Sequence, residues 1–142
     1  MSKATVLLVE DSKIQKLANE RILHKAGYIV LNASDGEEAL RMASEKIPDL
    51  ILLDMLLPKL GGPEVLQALK TNPDTARVPV IVLTSLSQGN EARLRKAGAD
   101  GFFEKSRMFE DESGERDFTD TVERVLRESK NRTAAAATAG GT

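Results

Sequence analysis

Five polar positions in this chain stand where an apolar run stops: Glu10, Asp11, Asp54, Thr84 and Lys105. Three of them are carboxylates, and three carboxylates gathered within a few ångströms cannot all stay ionised without a counter-charge. A hard divalent cation answers that need. An all-oxygen site with few protein ligands suits Mg²⁺ better than zinc or copper. Asp11 and Asp54 read as direct ligands, the backbone carbonyl of Leu56 as a third, and Glu10 as a partner through water. Lys105 would add a fixed positive charge and Thr84 a hydroxyl donor. This inventory suits phosphoryl transfer to Asp54: the carboxylate attacks phosphorus while the cations and the hydroxyl neutralise the phosphoryl oxygens. A carboxylate is a weak nucleophile, so positioning and electrostatics must carry most of the rate.

The elements that would gather these residues can be read from the apolar pattern. In the stretch from Asp49 to Gly62, Leu50 to Leu53 is a continuous apolar run ended by Asp54, the pattern of a strand covered by helices on both faces. Thr5 to Glu10, Tyr28 to Ala33, Val78 to Thr84 and Gly101-Phe102-Phe103 read as four more strands. Between them, Ser12 can cap a helix from about Lys13 to Ala26 that buries Ile14, Leu17, Ala18, Ile22 and Ala26 and stops at Gly27. Ser34 and Glu37 have capping-box spacing before a second helix, which carries Ala39, Leu40, Ala43 and Ile47 and ends at Pro48. Pro63 opens a third, packed through Val65, Leu66 and Leu69 and closed at Asn72. A short fourth helix, Asn90 to Ala97, has only Ala92, Leu94 and Ala97 to bury and should be the most weakly held. The last, about Phe118 to Lys130, would bury Phe118, Val122, Val125 and Leu126. Ser106 to Asp117, twelve residues rich in charge, reads as an irregular connection where short loops are the rule.

Strands alternating with helices predict an α/β fold: a flavodoxin-like, doubly wound, five-stranded parallel sheet of order 2-1-3-4-5 with five helices. In that order the strands ending at Glu10-Asp11 and Asp54 flank the point where the winding reverses. Neighbouring strands lie roughly 4.8 Å apart, so all the polar side chains can meet over one spot.

Composition bounds the rest. A chain of 142 residues with 20 Lys plus Arg against 22 Asp plus Glu suits one domain, expected over residues 3–130, with 131–142 as a disordered tail. The balanced charge argues against nucleic acid or an anionic membrane as the main partner. There is no cysteine, which excludes disulfides and thiolate metal sites. The amino-terminal apolar run is too short for a signal peptide or a membrane span, so a cytoplasmic location is expected. His24, the one histidine, falls near a helix carboxyl end and reads as a surface residue.

Taken together, the residues resemble a response-regulator receiver domain of the chemotaxis-regulator type, standing alone. The resemblance rests on Glu10-Asp11, on Asp54 in LLDMLLPKLGG with Pro58 and Gly62 following, on Thr84 in VIVLTS, on Ala97-Gly98-Ala99-Asp100, and on Lys105. It implies that Asp54 accepts a phosphoryl group from a histidine kinase or a histidine phosphotransfer protein, with Mg²⁺. It further implies a switch running through Thr84 to the aromatic position Phe102, read by a downstream protein of unknown identity, with the chain as monomer or switch-face dimer and no enzyme activity beyond its own phosphorylation and dephosphorylation. Phe102 lacks a hydroxyl, so it can report only by burial. Ser106 departs from the family's usual proline after the lysine, often in a cis bond. The charged stretch from Arg107 to Asp117 after it reads either as a solvated surface insertion without a role or as a segment that bears on partner choice or shields the phosphoryl group.

Three other readings fit less well. A nucleotide or flavin binder of flavodoxin type wants a glycine- or hydroxyl-rich first loop, where this chain has two acids. A phosphatase working through an aspartyl phosphate wants a carboxylate at position 56, which is Leu. A receiver-like module that is never phosphorylated would not need the complete set of polar residues.

Overall fold

The computed structural model describes residues 4–57, 59–84 and 91–140. Lys3, Pro58, Ser85 and Asn90, which carry parts of the readings above, lie outside the described residues. The strands are β1 (Thr5–Val9), β2 (Ile29–Ala33), β3 (Leu50–Asp54), β4 (Val80–Thr84) and β5 (Gly101–Glu104). They alternate with α1 (Lys13–Lys25), α2 (Gly36–Lys46), α3 (Gly62–Thr71), α4 (Glu91–Lys96) and α5 (Glu112–Gly140). The sheet is parallel with order β2-β1-β3-β4-β5, the order expected for five doubly wound strands.

Period-two alternation sends successive residues of each strand to opposite cores. Val6, Leu8, Leu50, Leu52, Ile81, Leu83 and Phe103 face α1 and α5, meeting Ile22, Leu23, Phe118, Val122, Val125 and Leu126. Leu7, Val9, Ile51, Leu53, Val80 and Val82 face the other side and meet Ala39, Ala43, Val65, Leu66 and Leu69. β1, β3 and β4 are therefore apolar on both faces, which is why their sequences do not alternate.

Several local readings shift. The buried face of α1 is Asn19, Ile22 and Leu23, whereas Ile14 is 82% and Leu17 66% exposed and Ala26 is exposed too. Asp35, not Ser34, caps α2: its carboxylate accepts the Glu38 N–H at 2.9 Å, and Glu38 returns the bond to the Ser34 N–H at 2.8 Å. The box is the expected device moved by one residue. α2 ends on Ile47, left-handed at φ 43° just before Pro48, which disfavours a further helical residue ahead of it. α4 buries none of its residues: Ala92 is exposed, as is Ala97 beyond its end, and only Leu94 touches the core.

The largest change concerns Ser106 to Asp117. Lys105–Phe109 forms a 3₁₀ helix anchored by buried Met108, and α5 begins at Glu112. Asp111 starts α5 by accepting the Gly114 N–H at 2.9 Å. Gly114 lies so close to the Arg107 carbonyl that a Cβ would collide with it, so glycine lets α5 start directly against the 3₁₀ helix. Phe103 then meets Phe118 edge to face at 5.3 Å. At its other end α5 continues to Gly140 through the residues expected as a tail. Alanine has the highest intrinsic helix propensity and needs no apolar face to continue a helix already begun.

Candidate functional site

The site forms where β1 and β3, adjacent in space, send their crossovers to opposite faces of the sheet. The β1–β2 ladder extends to Glu10, whose N–H bonds the Ala33 carbonyl at 3.0 Å. The chain then turns because Ser12 caps α1, its hydroxyl accepting the Gln15 N–H at 3.4 Å. The Ser12 N–H also holds Glu10 Oε2 at 3.2 Å. This turn leaves Glu10 buried over the end of the sheet and Asp11 exposed at the mouth of the cleft.

Asp54 is the last residue of β3, opposite Leu83 of β4, and is itself buried. Its Oδ1 accepts the Leu56 N–H at 3.1 Å, while the Leu56 side chain is 71% exposed. The loop that presents this N–H is folded tightly under α3. The Gly62 N–H bonds the Met55 carbonyl at 3.3 Å, and a Cβ on Gly62 would sit 2.6 Å from Met55 Cα. Lys59, left-handed at φ 66°, reaches from the same loop to Asp35 at 3.4 Å.

Lys105 opens the 3₁₀ helix after β5 and crosses to the cleft. Its Nζ donates to Asp54 Oδ2 at 2.9 Å and lies 3.3 Å from Glu10 Oε1. The described residues contain no cis peptide, so the lysine is aimed by the 3₁₀ turn rather than by a cis bond. Ligand oxygens of Glu10, Asp11 and Asp54 all lie within 4.8 Å of one another. Thr84 ends β4 beside them, half-buried and opposite Glu104 of β5. Phe102 is half-buried against the α3 side of the core, with the Arg95 guanidinium carbon 4.7 Å from its ring centre.

The charges do not balance. Burial pushes the Glu10 carboxyl up, and the Asp54 charge pushes it further; the Ser12 N–H and Lys105 only partly offset this. Burial acts to lower the Lys105 ammonium, but its bond to Asp54 and the charges of Asp54 and Glu10 outweigh burial and raise it. The ammonium is thus locked on while the pair of buried carboxylates remains short of positive charge. Glu10 Oε1, although within ion-pair range of Lys105, receives no hydrogen bond among the described residues. An orphaned buried oxygen beside two further carboxylates, with no nitrogen or sulfur ligand in the cluster, fits a hard divalent cation.

The structure brings together Glu10, Asp11, Asp54 and Lys105, and places Thr84 and Phe102 on the neighbouring strands. Sequence reasoning missed the Leu56 N–H on Asp54, the loop tie between Lys59 and Asp35, and the stacking of Arg95 on Phe102. Loop and helix geometry alone produces these contacts, and no spacing signal announces them. Asp100, present only as part of a motif, proves to be a junction: its carboxylate takes the Val80 N–H at 2.9 Å, Lys70 at 3.2 Å and Arg132 at 3.2 Å.

A doubly wound parallel sheet with an acidic cleft at its switch point and a lysine crossing from the edge strand defines the receiver class of α/β domains. Residues 6–112 match the response regulator receiver domain family, and the chain belongs to it. It is 34% identical over 102 residues to the polar-differentiation response regulator DivK of Brucella anthropi, covering 71% of this chain and 83% of that protein. Among solved structures it resembles the receiver domain of a Pseudomonas aeruginosa sensor histidine kinase, whose active-site cleft holds a magnesium ion. That likeness has a TM-score of 0.77 at 28% identity, over 88% of this chain and 98% of that one. The chemotaxis response regulator CheY4 of Vibrio cholerae matches with a TM-score of 0.75 at 28% identity, over 87% and 99% of the two chains. Receiver domains act between histidine kinases and downstream proteins and are not classical enzymes. No helix among the described residues is long and apolar enough to cross a membrane.

Proposed function

We propose that this receiver domain takes a phosphoryl group on Asp54 from a histidine kinase or histidine phosphotransfer protein, and that the phosphorylated form binds a downstream protein. The observation that carries this is the Lys105 bridge: one ammonium hydrogen-bonded to Asp54 and within ion-pair distance of Glu10, beside a third carboxylate, so that a single fixed cation faces three acids. Asp11, Asp54 and the Leu56 carbonyl would ligate Mg²⁺, with Glu10 acting through water. Bound there, Mg²⁺ supplies positive charge against the phosphoryl oxygens.

The chain's own groups do the rest. An Asp54 oxygen forms the new bond to phosphorus as the bond from phosphorus to the donor's nitrogen or oxygen breaks. Charge then moves from the carboxylate to the phosphoryl oxygens. The two donors now on Asp54, the Leu56 N–H and the Lys105 ammonium, are positioned to follow it. The Thr84 hydroxyl is a third donor, at the end of the adjacent strand, and its inward turn would leave room for Phe102 on the same face of the sheet. The exposed Ile14 and Leu17, on the first turns of α1 beside the cleft, suit docking of a phosphodonor protein. The receiver unit spans about residues 3–130, since Leu126 is the last core residue of α5 among the described residues.

Intact mass after incubation with acetyl phosphate and Mg²⁺ tests this directly. The expected result is one phosphoryl adduct that disappears in EDTA and in Asp54→Asn. An adduct retained by Asp54→Asn, or none in the wild type, overturns the assignment.

A further inference from the structure

Among the described residues α4 is the least anchored helix, with no buried residue and three cations, Arg93, Arg95 and Lys96, in its last turn. One of these turns back onto the sheet: the Arg95 guanidinium carbon lies 4.7 Å from the centre of the Phe102 ring. Among the described residues Arg95 has no carboxylate within ion-pair distance, so the ring is its one specific contact. Phe102 is half-buried and pairs with Val82; Thr84 lies two residues further along β4 and therefore faces the same side. The ring thus sits between an apolar floor and a cationic lid, next to the space a turning threonine would vacate.

We propose that Arg95 is the latch of this switch, a positioning residue that holds Phe102 in its half-exposed place and sets how readily the ring moves inward. This rests on the reading of Asp54, Thr84 and Phe102 given above. A guanidinium over a ring is attracted by the negative face of the π-system and stacks on it as a plane. Phe102 has no hydroxyl, so its face is the part of it that can attract a cation. Moving the ring inward withdraws that face from Arg95 and breaks the contact. At a site this exposed, such a contact biases a two-state equilibrium by about two- to fivefold. Because phosphorylation and ring position are coupled, loosening the ring eases phosphorylation by up to the same factor.

Three variants separate charge from packing. Arg95→Met keeps an unbranched apolar chain over the ring and removes the cation; Arg95→Lys keeps the charge without the planar group; Arg95→Ala removes both. The readouts are the aromatic carbon and proton resonances of Phe102 without phosphodonor, and the acetyl phosphate concentration giving half-maximal adduct by intact mass at fixed Mg²⁺. In Arg95→Met and Arg95→Ala the Phe102 resonances of the unphosphorylated protein should move along the line toward their phosphorylated positions. The half-maximal concentration should fall by up to about fivefold, with Arg95→Lys between these and the wild type. A phosphorylated wild type beside an Arg95→Met that matches it in both readouts overturns the latch and leaves the site reading intact. A wild type that takes no phosphoryl group overturns the site reading itself, and the latch as a switch element with it.

Discussion

Replacing Glu10 by Gln should stabilise the protein in EDTA and destabilise it, relative to wild type, in Mg²⁺. Glu10 is buried, and its oxygens lie within 4.8 Å of those of Asp54 and 3.3 Å from the Lys105 ammonium. At an effective dielectric near 20, the repulsion from Asp54 is at least about 3.5 kcal/mol and the attraction to Lys105 about 5 kcal/mol. These nearly cancel, so the cost of burying the charge decides the sign, in agreement with burial being the leading cause of the raised Glu10 carboxyl. Gln has the same shape and can still accept the Ser12 N–H, and Lys105 remains paired with Asp54. The expected gain at pH 7 without metal is on the order of 1 kcal/mol, since removing a poorly compensated buried charge is commonly neutral to stabilising. For a chain of this length that is about 3 °C in Tm.

The pH dependence follows from the direction of the shift. A carboxyl whose folded pKa is raised weakens the fold in full above the folded pKa, progressively less as pH falls below it, and not at all below the unfolded pKa. The wild type should therefore close the gap on Glu10→Gln as pH falls through the raised Glu10 value, and the two should converge in acid. Metal reverses the order. A cation at 100 times its Kd adds about 2.7 kcal/mol to the wild type, and the variant, lacking one carboxylate, gains less. Thermal or urea unfolding at pH 7, with EDTA and with a Mg²⁺ series, measures both effects. A variant less stable than wild type in EDTA, or equal stabilisation of both proteins by Mg²⁺, would refute the claim that the cleft is short of positive charge.

Two further perturbations probe the same cleft. Lys105→Met leaves Glu10 and Asp54 buried without their ammonium and should cost about 3 kcal/mol in EDTA, part of it restored by Mg²⁺. Because the folded Lys105 pKa is raised, its contribution is complete below the unfolded value near 10.4 and is lost as pH rises through the folded one. The wild type should thus lose stability in that alkaline window and Lys105→Met should not, as denaturant titrations at several pH values would show. Gly62→Ala places a methyl 2.6 Å from Met55 Cα, so backbone must move. Unfolding should report a loss of about 1 to 3 kcal/mol, and stopped-flow phosphorylation a slower rate, because the same loop carries the Leu56 N–H.

The contrast between what could and could not be read from the chain has a physical source. β1, β3 and β4 are continuous apolar runs, and such runs have one good solution, a strand covered on both faces. Once five strands alternate with helices, handedness and crossover rules leave a few sheet orders, and in the common five-stranded one, 2-1-3-4-5, Glu10, Asp54 and Lys105 come to one spot. Helix faces are less determined. On α1 the apolar Ile14 and Leu17 point to solvent while Asn19 is buried, because the face is chosen by how Ile22 and Leu23 fit between the sheet and α5, not by hydrophobicity summed along a stripe. The start of α5 was hidden for a related reason. Its first apolar core residue is Phe118, but the helix begins at Glu112 because Asp111 caps it and Gly114 can lie against the Arg107 carbonyl. The close approach of Gly114 to Arg107 is tertiary and leaves no mark in the sequence, whereas the Asp111 cap is local but stands among many other acids that could serve as one.

Within the site the division is the same. Topology places Cα atoms to within a few ångströms, which suffices to name the carboxylates and the lysine. Which donor meets which oxygen depends on loop geometry at the scale of a hydrogen bond. The Leu56 N–H bonds Asp54 Oδ1 because Gly62 lets the loop fold under α3, and Glu10 Oε1 is left without a donor because Lys105, shared between two acids, aligns with only one of them. That second detail matters most for function. A cleft in which every oxygen had a donor would be a stable salt-bridge cluster with little need of a metal. The orphaned oxygen makes this one a site that a cation can complete, and so ties the stability of the fold to the ligand its chemistry requires.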